Sequence, residues 1–181
     1  MINFKIGVFE MKPLIILDLE ATCSENKDIE AEIIEIGAVK IIDGKIVDSF
    51  DAFVKPVINP TLTDFCKTLT TITQEDVDSA KSFPDVFRDF MDWIGTTHFD
   101  YMSWGFYDKK QFIHDCKYHN LPYAWTENHD NIKLMFANKT GHKPCGMDKA
   151  LRILNLPLDG THHRGIDDAK NIAKIYLKIN E

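Results

Sequence analysis

Pro13-Leu14-Ile15-Ile16-Leu17-Asp18-Leu19-Glu20 is the stretch on which the reading of the chain turns. A nearly continuous apolar run that ends in acids is the pattern of a central strand buried on both faces of a sheet. Side chains two apart on a strand share a face, so Asp18 and Glu20 project together from its end. Two carboxylates beside buried apolar surface are costly unless something positive neutralises them. Neither Lys nor Arg occurs in residues 14–23. A divalent metal is the natural alternative, although strand ends also carry acids without one.

Working outward, residues 33–42 are rich in Ile and Val and read as a second strand. Asp43-Gly44 is a hairpin signal, and residues 46–55 return as a third strand before Pro56 and Pro60. Residues 61–80 read as short helical turns, with Thr73 and Asp76 in capping-box relation. Phe83, Val86, Phe87, Phe90 and Ile94 fall at helical spacing and predict an amphipathic helix over 84–94. A strand at 99–104 ends at Gly105, and helices are expected at 108–119, 131–138, 147–154 and 166–180. The expectation is one α/β domain whose mixed central sheet opens with a three-strand antiparallel meander and is flanked by helices. Residues 13–181 are assigned to this domain and 1–12 to an N-terminal extension, with Met11 as an alternative start.

With 44% hydrophobic residues the chain has enough apolar mass for a substantial core. Its apolar runs are far too short to span a bilayer, and the first residues lack the continuous apolar core of a signal peptide. Cys23, Cys66, Cys116 and Cys145 are scattered without a C-x-x-C pair, so neither a zinc site nor a disulfide framework is expected. Free thiols fit a reducing compartment, and a cytoplasmic location without membrane attachment is the expectation. The net charge of −7 is unevenly spread. Residues 1–100 hold 9 basic and 19 acidic side chains, whereas residues 101–164 hold 9 and 6. The second half could therefore offer phosphates a basic surface; ordinary solubilising charge explains the same numbers.

Two further acids stand out. In His163-Arg164-Gly165-Ile166-Asp167-Asp168, helical phase puts Asp167 with Asn171, Lys174 and Lys178 on the wet face. Asp168 falls with Ile172, Ile175 and Ile179 on the apolar stripe, where an acid is informative. A helix N-terminal Asp can also be there for the helix dipole and free amides. His163 precedes this helix in a loop, where it could approach the same place or simply face solvent. Asp108, in Ser103-Trp104-Gly105-Phe106-Tyr107-Asp108, opens a helix after a strand and reads either as an N-cap or as an inward-pointing acid. Glu35 lies inside an apolar strand, where it needs a partner, either a sugar hydroxyl or a structural hydrogen bond.

Taken in order, D-x-E on the first strand, a mid-chain Y-D opening a helix, and H-x4-D near the end resemble the DEDDh exonuclease superfamily. Asp18-Leu19-Glu20-Ala21-Thr22-Cys23, Glu32-Ile33-Ile34-Glu35-Ile36-Gly37-Ala38-Val39, Phe65-Cys66-Lys67-Thr68-Leu69-Thr70-Thr71-Ile72-Thr73-Gln74 and His163-Arg164-Gly165-Ile166-Asp167-Asp168-Ala169 are similar to its histone-mRNA 3′-end and Eri-type RNA exonuclease branch. The resemblance covers about residues 13–180. Thr71 stands where that branch commonly has glycine, and Phe106 fills a variable position before the acid; both departures bear on substrate preference.

The resemblance implies an RNase H-like fold and a 3′-to-5′ exonuclease acting on the end of single-stranded nucleic acid, RNA above DNA. It implies that Asp18, Glu20, Asp108 and Asp168 bind two Mg²⁺ or Mn²⁺ ions and that His163 is the general base. Leu19, Ala21, Thr22, Phe65, Leu69 and Phe106 are the expected contacts of the terminal nucleotide, with Trp104 as a further stacking candidate. Lys109, Lys110 and Arg164 are candidates for phosphates. A DNA-directed proofreading or repair enzyme of the same superfamily, or a non-catalytic binding module on the same fold, are the competing readings. Oligomeric state does not follow from the sequence.

Overall fold

A computed structural model describes residues 12–96 and 98–181; the expected extension and the alternative start at Met11 fall, but for Lys12, outside the described residues. The central strand β1 (Leu14–Ala21) pairs antiparallel with β2 (Ile33–Ile42), which pairs antiparallel with β3 (Lys45–Lys55). The expected meander is therefore present. Asp43 and Gly44 both have positive φ, 52° and 70°, as a tight hairpin turn that continues the sheet's twist requires.

Two short helices follow, α1 (Asp64–Thr70) and α2 (Gln74–Asp78), the second opened by the Thr73–Asp76 capping box. A two-residue strand β4 (Lys81–Ser82) joins the outer edge of β3 in parallel. Helix α3 (Phe83–Ile94) starts with Pro84 in its first turn and stops at Gly95 in the left-handed conformation. Strand β5 (Asp100–Ser103) lies parallel to β1, and β6 (His129–Asn131) parallel to β5. Between and after them run α4 (Tyr107–Tyr118), α5 (Ile132–Thr140), α6 (Met147–Ile153) and α7 (Gly165–Ile179). The mixed six-stranded sheet has the order β4-β3-β2-β1-β5-β6. Strands β4 and β6 are too short to carry a sequence period, and the reading above omits them.

The alternation of β1 explains the layers. Ile15, Leu17 and Leu19 point into a core built with the phenylalanines of α3 and α4. Leu14 and Ile16 point to the other side, into a core shared with α5, α6 and α7. Asp18 and Glu20 continue this second face, so the two acids look toward α7. No helix among the described residues is long and apolar enough to cross a membrane.

Thr71 is the residue that stands where the resembled branch commonly has glycine. It is the exposed C-cap of α1, at φ 61°, and its N–H bonds the carbonyl of Lys67. Glycine suits that position because a helix commonly ends on a left-handed residue, and a β-branched side chain is strained there. Thr71→Gly is therefore expected to raise stability by about 1 kcal/mol, measured by chemical denaturation, and to leave the cleft described below untouched.

Candidate active site

Helix α7 meets the sheet backbone to backbone at Gly37, where no side chain intervenes. Gly37 of β2 pairs with Asp18 of β1. A Cβ on Gly37 would lie 2.0 Å from backbone atoms of Gly165 and Ile166. Gly165 in turn presses on the backbone of Gly37 and Asp18, at 3.0 and 3.1 Å from its own would-be Cβ. This backbone-on-backbone contact sets the first turn of α7 directly over β1, and with it Asp168 over Asp18.

Asp18, Glu20, Asp108, His163 and Asp168 line one cleft of about 360 Å³, together with Leu19, Trp104, Tyr107, Asp148, His162 and residues of α6 and α7. One oxygen from each of Asp18, Glu20 and Asp168 lies within 4.8 Å of the others. Asp108 joins them from α4. It sits inside that helix rather than capping it, because the N-cap is Phe106. Its Oδ1 accepts the Leu19 N–H at 3.3 Å.

The electrostatics are those of crowded anions, with Arg164 and Lys133 only partly offsetting the repulsion. None of the described residues lining the cleft is Lys or Arg. Burial, then Asp108, Glu20 and Asp168, push the Asp18 carboxyl well above its ordinary range. Glu20 is pushed up to about 8 by burial and then by Glu35, Asp168 and Asp108. Asp108 rises to about 6 through burial, held back by hydrogen bonds from Ser103 and Leu19. The donor set is hard oxygen in a converging arrangement, and it fits a divalent cation. The metal-free protein should therefore lose stability as pH rises. The folded state holds protons that the unfolded chain has already released, from the ordinary glutamate value of 4.5 up to about 8 for Glu20. Thermal unfolding in EDTA is expected to give a lower Tm at pH 8 than at pH 6, and millimolar Mg²⁺ is expected to remove most of that difference.

Asp168 is buried and fixed twice, by the His163 backbone N–H at 3.0 Å and by His162 Nδ1 at 2.9 Å, both on Oδ2. His163 has φ 65°, and the two imidazoles stack face to face with centroids 4.0 Å apart. Burial, and then the neighbouring His162, hold the His163 pKa below its ordinary value. Sequence reasoning missed His162. Adjacent residues on extended chain point apart, and only the left-handed turn at His163 brings the rings together.

Other sequence-selected residues fall elsewhere. Glu35 is fully buried and accepts from Arg164 Nε (3.2 Å), Arg164 Nη2 (3.3 Å) and the Gly165 N–H (3.1 Å). Of its two expected partners it has the structural one. Arg164 is thereby engaged with Glu35, and its guanidinium also lies over the Phe53 ring at 5.1 Å, which removes it as a free phosphate contact. The polar face of α7 is not wholly wet either: Asn171 is buried, bonding the N–H and carbonyl of Asp159, and Lys174 bonds Pro157 O. Asp167 accepts the Thr161 N–H at 2.8 Å. These bonds bind the loop before α7 onto the helix, so the face read as solvated holds the histidine-bearing segment in place.

Of the expected nucleotide contacts, Leu19 lines the cleft. Ala21 and Thr22 are buried, and the Thr22 Oγ1 accepts the Glu32 N–H at 3.0 Å. Phe65 and Leu69, one turn apart on α1, and Phe106 are exposed apolar side chains outside the cleft lining. Trp104 lines the cleft and donates its Nε1–H to Cys145 O at 3.1 Å.

Comparison with known proteins gives this geometry a family. The model of the exonuclease family (RNase_T) matches residues 15–176. The chain is 35% identical over 178 residues to the human "3'-5' exoribonuclease 1", covering 91% of this chain and 51% of that protein. It is 30% identical over 173 residues to the "Probable 3'-5' exonuclease KapD" of Bacillus subtilis (strain 168), covering 93% and 84%. It thus spans about half the length of the human relative and most of the bacterial one. Among solved structures, the nuclease domain of 3'hExo, a DEDDh family member bound to rAMP, superposes with a TM-score of 0.88 at 32% identity, over 95% of this chain and 93% of that one. The fold is thereby the RNase H-like one expected, and the chain belongs to the exonuclease family.

Proposed function

We propose that this chain is a metal-dependent 3′-to-5′ exonuclease that releases nucleoside 5′-monophosphates from single-stranded RNA, and that residues 13–181 form its exonuclease domain. The observation that carries the reading is the convergence of Asp18, Glu20, Asp108, Asp168 and His163 on one cleft, with no lysine or arginine among the described residues that line it. RNA is favoured over DNA because relatives bear the name exoribonuclease and because a similar nuclease domain is described with rAMP bound. Four free cysteines agree with a cytoplasmic setting.

Asp18, Glu20, Asp108 and Asp168 would hold two Mg²⁺ or Mn²⁺ ions. When bound, such a pair supplies Lewis acidity to the attacking water and to the departing 3′ oxygen. The chain's own groups do the rest. His163, kept neutral by burial, has a ring nitrogen free to take the proton from the attacking water. Its backbone N–H, anchored on Asp168, fixes the base relative to the acids. The Leu19 N–H, anchored on Asp108, fixes the backbone of Leu19 at the cleft wall, where Leu19 would meet the terminal nucleotide. Phe65, Leu69 and Phe106 would stack on or flank bases arriving from outside the cleft, and Ala21 and Thr22 would contribute backbone alone.

His163→Ala is expected to lower turnover by about 10²–10⁴-fold, the usual worth of a general base. Mg²⁺ affinity, measured by calorimetry, should stay within about twofold; near-normal turnover would take the histidine out of the reaction. The reading as a whole is tested with a 5′-labelled single-stranded RNA and its DNA counterpart, with Mg²⁺ and with EDTA. A ladder shortening by one nucleotide from the 3′ end, faster on RNA and absent in EDTA, is expected. Internal cuts, or activity that survives EDTA, would contradict it, and faster digestion of the DNA would transfer the enzyme to the DNA-directed class.

A further inference from the structure

Beside the all-oxygen cluster the cleft contains a second set of donors of different chemistry. One nitrogen from each of His162 and His163 and one oxygen of Asp168 lie within 4.8 Å of one another. His162 Nδ1 already stands 2.9 Å from Asp168 Oδ2, which is shorter than the separation of two ligands on a tetrahedral ion with bonds of about 2.0–2.1 Å. The two rings, 4.0 Å apart and 18° from parallel, are placed side by side at the cleft wall by the left-handed turn at His163. Both histidines are only half-buried, so an ion could reach them from the cleft.

We propose that His162, His163 and Asp168 form a binding site for a borderline transition ion, Zn²⁺ in the first place, distinct from the carboxylate site for Mg²⁺ or Mn²⁺. Two imidazoles and one carboxylate are a donor set that suits zinc, whereas magnesium prefers oxygen and water. Three protein ligands leave a fourth position for water. The two sites share Asp168, so they compete. A zinc ion here would also occupy the nitrogen that the proposed mechanism needs as a base. On that reading of His163, which this last consequence alone rests upon, zinc inhibits, and raising Mg²⁺ relieves the inhibition. His162 makes the difference: once zinc displaces the proton its Nδ1 shares with Asp168, to the other ring nitrogen or to solvent, that nitrogen turns a base and an acid into a chelate.

The test uses the full chain and Co²⁺ as a spectroscopic stand-in for Zn²⁺, with Zn²⁺ displacement giving the affinity. Four proteins are compared: the unaltered chain, Asp18→Asn/Glu20→Gln, His162→Asn and His162→Gln. The expected result is tight binding with visible d–d bands of nitrogen ligation, retained in Asp18→Asn/Glu20→Gln. In both His162 variants the affinity should fall by at least about 100-fold, beyond the 10–100-fold typical of losing a mere orienting neighbour. If the His162 variants fail to fold, nitrogen-15 spectra of the unaltered chain decide the matter. Of its 7 histidines, only the rings of His162 and His163 should then shift on adding one equivalent of Zn²⁺. Binding lost in Asp18→Asn/Glu20→Gln and unchanged in the His162 variants would overturn the proposal, as would unshifted His162 and His163 rings. A zinc chelate found in a chain without exonuclease activity would leave this site standing and sink the proposed function instead.

Discussion

Asp18→Asn is expected to abolish turnover while making the metal-free protein more stable, two effects of opposite sign from one atom change. Asp18 belongs to the oxygen cluster with Glu20 and Asp168, and its central position is reflected in the number of neighbours that raise its pKa. Removing one shared anion removes several kcal/mol of stabilisation from the reaction's charged transition state, or about 10³-fold or more in rate at 1.4 kcal/mol per factor of ten. The same change removes a buried charge that is repelled from several sides, so the variant should melt higher than the unaltered chain in EDTA at pH 8. Adding Mg²⁺ should raise the Tm of the unaltered chain and barely move that of the variant. A variant that is inactive and also less stable in EDTA would show Asp18 to be a structural residue rather than one member of a strained cluster.

Gly37→Ala is the second large effect, and it acts from a residue that carries no chemistry. The added methyl would sit 2.0 Å from two backbone atoms of α7 and 2.4 Å from a third. No side-chain rotation relieves a clash with backbone, so either β2 or the whole first turn of α7 must withdraw by more than an ångström. Overpacking of this kind costs about 1–3 kcal/mol and at times more, and the Glu35–Gly165 bond beside it is strained or lost with the shift. Displacement of Asp168 by about 1 Å is expected to reduce turnover by about 10²-fold even in the fraction that folds. Thermal melting and single-turnover rates on the same preparation separate the two losses. A variant with unaltered Tm and rate would mean that the helix does not rest on the sheet as described.

The parts of this molecule that were legible in the sequence are those with a period or a local turn signal. The continuous apolar run of β1, the Asp43-Gly44 hairpin, the Thr73–Asp76 capping box and the aromatic face of α3 are local patterns, and each has its counterpart in the fold. The grouping of Asp18 with Glu20 follows from strand geometry alone. Their meeting with Asp108 and Asp168 does not, because nothing local relates segments so far apart; the ordered resemblance to a family supplied that step.

What stayed hidden depends on contacts across the fold. Gly37 and Gly165 look like ordinary glycines until β2 and α7 are seen to touch. Glu35 is legible as a buried acid in need of a partner, but Arg164 as that partner is not, and the arginine reads only as one candidate for phosphate. Asn171 was put on a wet face by helical phase, which knows nothing of the loop at residues 155–164 that folds back over it. His162 was passed over because the stacking of two adjacent histidines requires a backbone conformation that composition does not announce.

The most direct test of the account is diffraction from crystals grown with Mn²⁺ and a nucleoside 5′-monophosphate, with data collected at the manganese absorption edge. The account predicts two anomalous peaks inside the cleft, bounded by the carboxylates of Asp18, Glu20, Asp108 and Asp168, and no manganese in crystals of Asp18→Asn. Peaks elsewhere on the molecule, or a cleft that remains free of manganese with the nucleotide bound, would contradict it.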